Sequence, residues 1–161
     1  MHDDKATSTE PVIRYTWGTD AGFYRLIPQV VAFPKNENEL ATLVKHAREM
    51  KLPVTFRAAG TSLSGQAITD SILIVIGEKW NKHRVLDEGK SIELGIRGGR
   101  VNAILRPFGR KFGPDPASLN ACMVGGIVMN NASGMSCGTW ANSDKLLESI
   151  RLILSDGTIL D

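Results

Sequence analysis

The sequence predicts an α+β fold with two parts, a small parallel-strand part followed by a mixed or antiparallel part. Residues 30–56 read as a short apolar strand, an amphipathic helix and a second strand, which is typical of a unit whose strands run parallel. Residues 84–96 show the central turn of a hairpin and, at Ile92, Leu94 and Ile96, its alternation. The 161 residues, 42% hydrophobic and 22% charged, suit a globular domain of ordinary size.

Residues 1–22 are predicted to form an N-terminal arm ahead of a domain at residues 23–161. The arm is polar, with Tyr15 and Trp17 as its candidate anchors. It starts with polar and acidic residues, whereas a signal peptide starts with a cationic and then an apolar stretch. We therefore expect no signal peptide.

Composition also excludes several classes of partner. A formal net charge of +2, with no basic run, indicates no nucleic-acid surface. The apolar runs are too short for a transmembrane segment. Cys122 and Cys137 are too few for a disulfide scaffold, so we expect reduced thiols and a cytoplasmic location.

The first predicted strand covers Val30 to Phe33 and is stopped by Pro34, after which Asn36 or Asn38 caps a helix. Leu40, Leu43, Val44, Ala47 and Met50 follow at helical spacing and predict a buried stripe. Lys45, His46 and Arg48 are predicted to point into solvent. A second strand follows at residues 54–56.

Residues 72–76 are apolar without alternation, as in a strand that is covered on both faces. Hairpin strands are then predicted around Val85 and Ile92, with the turn at residues 87–90. Val101, Ile104, Leu105 and Phe108 predict a helix. A turn at residues 155–158 leads into a last strand, which we expect to lack a neighbour within the chain.

The strongest functional signal is the loop at residues 57–66, Arg-Ala-Ala-Gly-Thr-Ser-Leu-Ser-Gly-Gln. Small residues let backbone N–H groups approach an anion closely and converge on it as a nest. The loop also leaves the carboxyl end of a strand, where open α/β sheets bind ligands. The loop therefore predicts a cradle for the diphosphate of a nucleotide cofactor.

The alternatives for this loop are a P-loop, a Rossmann loop and a plain surface turn. Gly60 and Gly65 have the spacing of a P-loop, but Gln66 and Ala67 stand where a Lys and a Ser or Thr are needed. A Rossmann loop needs a third glycine and a following helix, and neither is present in this stretch. A plain surface turn remains open for the loop taken alone.

A second small-residue segment begins at residue 112. Pro114 and Pro116 stiffen a turn around Asp115, and Gly125-Gly126 introduces an apolar stretch able to open a helix. Backbone groups of this segment suit a polar, planar ring system. The alternative is that the glycines serve packing and that Asn130-Asn131 ends the helix.

Together these motifs resemble the flavin domain of the FAD-linked oxidases typified by vanillyl-alcohol oxidase, a PCMH-type domain. The likeness rests on residues 57–66, the turn at 114–116, Gly125-Gly126, residues 130–134 and the opening at 24–34. Within that family it is greatest to the D-lactate and D-2-hydroxyglutarate dehydrogenases of the long, iron–sulfur form. It covers residues 20–161.

The resemblance implies a two-subdomain FAD-binding fold that is incomplete at the C-terminus. It implies a diphosphate site at Ala58, Ala59, Gly60, Thr61, Ser62 and Gln66. It implies a lining for the ribityl chain and isoalloxazine at Pro114, Asp115, Pro116, Met123, Gly125, Gly126, Asn130 and Asn131. Thr61 stands where some members attach the flavin to a histidine, and His2, His46 and His83 lie outside the motifs, so FAD is expected to be non-covalent. Ile127 stands where an asparagine is common.

The resemblance further implies an amino-terminal part of a larger flavoprotein oxidoreductase. The substrate-binding cap and the iron–sulfur domain are expected beyond residue 161, so no catalytic or metal-binding residue is nominated here. The expected reaction is oxidation of a D-2-hydroxy acid such as D-lactate. Electrons would pass to a quinone, a cytochrome or the iron–sulfur domain, which allows peripheral membrane association. Two alternatives stay open: a stand-alone flavin- or nucleotide-binding module without catalysis, and a purely structural α+β domain.

Overall fold

The computed structural model describes residues 6–77, 79–95 and 97–161. His2 and Ile96 lie outside the described residues. The elements follow in chain order as β1 (Thr7–Ser8), α1 (Pro11–Thr16), β2 (Val30–Ala32), α2 (Glu37–Glu49), β3 (Val54–Arg57), β4 (Ile72–Val75), β5 (His83–Leu86), β6 (Ser91–Leu94), α3 (Gly98–Leu105), α4 (Val124–Met129), α5 (Ser143–Leu146), β7 (Leu152–Ile153) and β8 (Ile159–Leu160). They form two compact units, residues 1–79 with 150–161, and residues 80–149.

The first unit is built on a four-stranded sheet in the order β1-β2-β4-β3. The strands β2 and β3 both run parallel to β4, which lies between them, and β1 pairs antiparallel with β2. All four residues of β4 are buried, because strands lie on both sides and apolar groups cover both faces. The parallel arrangement and the covered central strand confirm the prediction.

Helix α2 begins where its cap was predicted. The Asn36 side chain accepts a hydrogen bond from the N–H of Glu39 at 3.0 Å, so it satisfies one of the free donors of the first turn. The helix buries Leu40, Val44 and Ala47, and it exposes His46 as predicted. Met50 was predicted to lie in the buried stripe, and this is wrong: it caps the C-terminus and is 60% exposed.

The segment predicted as an arm contains ordered structure from residue 6 onward. Its strand β1 pairs with β2, and α1 follows. The Trp17 ring packs edge-on against Phe33 with centroids 5.6 Å apart, next to the buried cluster of Val31, Leu73 and Val75. Trp17 therefore anchors this segment to the sheet.

The last two strands form a hairpin in the same unit. β8 pairs antiparallel with β7, so the expectation that the last strand lacks a neighbour is wrong. Arg151 donates to both carboxylate oxygens of Glu37 at 3.0–3.1 Å, which links the hairpin to α2. Gly157, at a φ of 85°, makes the turn.

The second unit contains the predicted hairpin and helix. β5 and β6 pair antiparallel, with Val85 opposite Ile92, and α3 begins with the Gly98-Gly99 pair. Val101, Leu105 and Val124 form its buried cluster. Cys122 and Cys137 are buried free thiols, as predicted. No helix among the described residues is long and apolar enough to span a bilayer.

Candidate functional site

The loop at residues 57–66 begins at the carboxyl end of β3 and bends twice. Gly60 and Gly65 have φ values of 69° and 73°, in the left-handed region that favours glycine. After the loop the chain continues through residues 67–71 into β4 with no intervening helix. The absence of a helix over these described residues agrees with the exclusion of a Rossmann loop.

A run of backbone donors in this loop has no partner. From Ala58 to Leu63, no N–H donates a hydrogen bond to any part of the chain that the structure describes. These residues are half-buried or exposed, so none of them lies in the buried core. Unpaired backbone N–H groups on consecutive residues are the chemical requirement for a nest that binds an anion.

The Ser62 hydroxyl organises the turn inside the loop. Its Oγ accepts hydrogen bonds from the N–H groups of Ser64 at 3.2 Å and Gln66 at 3.1 Å, and it donates to Gln66 Oε1 at 3.2 Å. Ser62 and Gln66 are thus brought together, as members of the predicted site, by contacts with each other. Their side chains hold the loop in shape and leave the backbone donors free.

Arg57 lies beneath the loop and joins it to the sheet. Its guanidinium stands over the Trp17 ring at 5.0 Å from the centroid. It donates to the carbonyl of Trp17 at 3.4 Å and to that of Thr19. A Cβ on Gly60 would lie 2.6 Å from Arg57 Nη2, so the guanidinium fills the space directly behind that glycine.

Burial sets the electrostatics of this group. It lowers the pKa of Arg57 from its usual value, and the negative charge of Asp20 partly opposes that effect. Arg57 Nε and Asp20 Oδ2 are both buried without a hydrogen-bond partner in the described structure. A partly desolvated positive charge therefore stands behind the row of unpaired donors.

Residues 20–22 hold the loop from its other side. The N–H of Ala21 donates to the Gly60 carbonyl at 2.9 Å, and the N–H of Gly22 donates to Asp20 Oδ1 at 2.8 Å. A Cβ on Gly22 would come within 3.0 Å of the Leu63 carbonyl oxygen. This contact was not predicted, and its only local signal in the sequence is the small pair Ala21-Gly22 after Asp20.

In the second unit, Gly125 and Gly126 lie in the first turn of α4, as the sequence predicted. Both are exposed, and apart from the adjacent residues and the backbone of α4 itself, no described atom lies within 4 Å of the position that a Cβ would take on either. Neither has a positive φ. The described residues therefore do not support a packing role for these glycines. The glycines leave open space beside the unpaired backbone N–H groups of the first helical turn.

The turn at residues 114–116 is buried at Pro114 and half-buried at Asp115 and Pro116. Pro114 is fully buried, and Asp115 pairs in a short parallel bridge with Gly134. Asp115 Oδ1 accepts from the N–H of Ser136 at 3.3 Å, while Lys111 Nζ lies 3.9 Å from Oδ2. A Cβ on Gly134 would overlap Asp115, so this glycine is required for the bridge.

The end of α4 is shaped by Asn130 and Asn131. Asn130 is the C-terminal cap, and Asn131 has a φ of 43°. The Asn131 Oδ1 accepts from the N–H of Asp144 at 3.0 Å in the first turn of α5. Met123 is the N-terminal cap of α4, and Ile127 is buried in the unit. Ile127 thus packs in the core at the position where the resemblance leads one to expect an asparagine.

A separate groove of about 470 Å³ lies in the first unit. Its lining includes Val44, Leu52, Phe56 and Ile153, with Arg48 and Lys51 at the same site. None of the predicted cofactor residues lines it. The groove offers apolar side chains instead of backbone donors, so we treat it as distinct from the loop.

The chain is similar to proteins of known type. A family profile described as "FAD binding domain" matches residues 28–161. The chain is 29% identical over 161 residues to D-2-hydroxyglutarate dehydrogenase of Escherichia coli (strain K12), covering 96% of this chain and 16% of that protein. It is 26% identical over 140 residues to D-lactate dehydrogenase [cytochrome] 1, mitochondrial, of Saccharomyces cerevisiae (strain ATCC 204508 / S288c), covering 83% and 24%.

Among solved structures, the fold matches that of an alkyldihydroxyacetonephosphate synthase. The TM-score is 0.80 at 17% identity, with 99% of this chain and 32% of that chain covered. The chain thus spans about a third of that structure and a smaller share of the two dehydrogenases.

Proposed function

The chain belongs to the FAD binding domain family, and from that membership we propose that it is the flavin-binding part of a dehydrogenase that oxidises a D-2-hydroxy acid. The substrate class is supported by the two similar dehydrogenases, whose names specify D-2-hydroxyglutarate and D-lactate. Each is covered by this chain over less than a third of its length, so the reaction is a proposal for the whole protein.

The observation that carries the proposal is the row of unpaired N–H groups from Ala58 to Leu63. A diphosphate presents several acceptor oxygens in a small volume, and a nest of backbone donors satisfies them without requiring side chains. Gly60 and Gly65 make the bends that this row needs. The residues present therefore fit the diphosphate of FAD.

The start of α4 fits a second part of the cofactor. An open space at Gly125 and Gly126, which a Cβ on either residue would occupy, lets a flat ring or ribityl chain approach the backbone. We assign Met123, Asn130 and Asn131 to the same lining, with the turn at residues 114–116 as its support.

FAD, when bound, would supply the hydride acceptor: the hydride would leave C2 of the hydroxy acid, the hydroxyl proton would pass to a general base of the whole protein, and a 2-oxo acid would result. The residues of this chain bind and orient. Thr61 offers no imidazole for attachment, so we propose a non-covalent flavin. The electron acceptor is a quinone, a cytochrome or an iron–sulfur domain, in a cytoplasmic protein that contacts the membrane only through such partners.

The test uses the protein encoded by the complete reading frame that contains these residues. We expect it to purify with a flavin that heat or acid releases into the supernatant as FAD. Under anaerobic conditions, D-lactate or D-2-hydroxyglutarate should remove the visible absorbance of the oxidised flavin, and L-lactate serves as the control. A purified protein that neither contains nor takes up FAD would contradict the proposal.

The same experiment separates the second candidate function. A stand-alone flavin- or nucleotide-binding module would retain FAD, yet no 2-hydroxy acid of either hand would reduce it. The free backbone donors support binding in both cases, so only the reduction step distinguishes an enzyme from a module.

A further inference from the structure

We propose that Arg57 is a positioning residue for the cofactor diphosphate: it holds Gly60 and the neighbouring donors in place from behind and adds positive charge to the anion site. This inference rests on the proposed function, because it takes the loop to be the diphosphate site. Arg57 is half-buried, with its guanidinium directly behind Gly60, so it acts through the backbone of that glycine.

Arg57 supports the loop mechanically. Trp17 packs on Phe33 beside the buried cluster of the sheet. Arg57 stacks on Trp17 at 5.0 Å and donates to the carbonyls of Trp17 and Thr19. A rigid, planar guanidinium that is held by an aromatic ring and two carbonyl acceptors gives the loop backbone a fixed surface to pack on.

The close approach of Gly60 to Arg57 also fixes the shape of the loop. Because Arg57 Nη2 lies 2.6 Å from the position of a Gly60 Cβ, the loop backbone rests directly on the guanidinium. The Gly60 carbonyl is at the same time held by the N–H of Ala21 at 2.9 Å. The loop is thereby fixed on two sides, while the donors from Ala58 to Leu63 stay free. A pre-formed loop loses less conformational freedom when it binds its ligand.

The charge of Arg57 also contributes to the anion site. The guanidinium is partly removed from water, and the acid near it is Asp20. Asp20 Oδ1 already accepts from Gly22, and no ion pair joins the two groups among the described contacts. A positive charge that is only partly neutralised and partly desolvated acts over a longer range than one in water, so it attracts a diphosphate on the far side of Gly60.

The test compares Arg57→Met with Arg57→Lys in the protein encoded by the complete reading frame. Arg25→Met is the matched control, because Arg25 also stacks on an aromatic ring, that of Tyr15 at 4.1 Å, but within the described residues it makes no hydrogen bond or ion pair to the loop. The probes are FAD and ADP, which carries a diphosphate without the flavin ring. Arg57→Met should weaken both by a similar factor, about tenfold or more, and Arg57→Lys should recover part of the loss because it keeps the charge.

The visible spectrum of flavin at saturating FAD should stay that of the unmodified protein, because Arg57 acts at the diphosphate. The inference is overturned if the unmodified protein binds FAD and Arg57→Met binds it equally well, or if FAD affinity falls while ADP affinity does not. If Arg57→Met yields no folded protein, Arg57→Lys decides: unchanged FAD and ADP affinities in that variant also overturn the inference. Failure of the proposed function looks different, since the unmodified protein itself would then bind no FAD.

Discussion

Replacing Gly60 by alanine should weaken FAD binding far more than replacing Gly65, although both glycines lie in one loop with nearly equal φ values of 69° and 73°. Either alanine is placed in the left-handed region, which costs about 1–2 kcal/mol. At Gly65 the added Cβ meets ordinary contacts, the nearest being a carbon of Ile68 at 3.6 Å. The Gly65 variant therefore carries only the backbone cost.

At Gly60 the added Cβ would lie 2.6 Å from Arg57 Nη2. The guanidinium has to move, and it then loses its fit to Trp17 and to the carbonyl of Thr19. Hydrogen bonds from charged groups contribute about 1.5–3 kcal/mol, and part of this returns through water. We expect an additional cost of about 2 kcal/mol, which corresponds to roughly a thirtyfold larger Kd for FAD.

We expect the added cost at Gly60 to appear as weaker FAD binding, because without FAD the loop can shift and relieve the overlap. Its residues are half-buried or exposed, and the N–H groups from Ala58 to Leu63 have no partner in the described structure. Kd is measured by titrating the apoprotein with FAD and following flavin fluorescence. A Gly77→Ala variant controls for the substitution itself, since Gly77 has no positive φ and no described atom within 4 Å of a Cβ position. Equal losses of FAD affinity in the Gly60 and Gly65 variants would refute the role of Arg57. The role would also be refuted if Gly60→Ala weakened FAD binding by the same factor in an Arg57→Met background.

Three further outcomes are expected. Gly126→Ala should raise the free energy of unfolding by about 1 kcal/mol, because alanine favours a helix over glycine, and should weaken FAD binding; stabilisation with unchanged Kd would argue against the open space as cofactor lining. Asn131→Gly, which keeps the positive φ but removes the acceptor for the Asp144 N–H, should cost about 1 kcal/mol in urea unfolding, whereas Asn131→Asp should cost less. The hydrogen bond from Arg84 lowers the pKa of Glu93, so this exposed pair stabilises the hairpin above about pH 4 and ceases to do so as the pH falls through the folded-state pKa, with a small effect on stability. An NMR titration of the Glu93 carboxyl should return to the ordinary pKa in Arg84→Gln, and an identical titration curve in that variant would exclude the pair as the cause.

The parallel part of the fold was predictable because its signals are local. The cap at Asn36, the spacing of Leu40, Val44 and Ala47 and the unbroken apolar run of β4 each act over a few residues. The error at Met50 arises at the same helix: the apolar spacing continues one position past the helix end, where the residue caps the turn and leaves the buried face.

The ordered N-terminal segment was harder to anticipate. β1 has only two residues, Thr7 and Ser8, and gains its order from pairing with β2 more than twenty positions later. The link between Trp17 and Arg57 spans forty residues and depends on the sheet to bring them together. Composition identified the loop as a candidate anion site, but the group that fixes its shape is visible only once the strands are paired.

The glycines of the candidate site fall into two physical classes. Gly60 and Gly65 are needed for backbone shape, since other residues are strained at their φ values. Gly125 and Gly126 have ordinary helical backbone and no described neighbour within Cβ reach, so the fold of the second unit does not require them. Two glycines in a six-residue helix cost about 1 kcal/mol each relative to alanine, and within the described residues nothing offsets that cost. We therefore propose that a ligand approaches the backbone of this turn, where a side chain on either glycine would obstruct it.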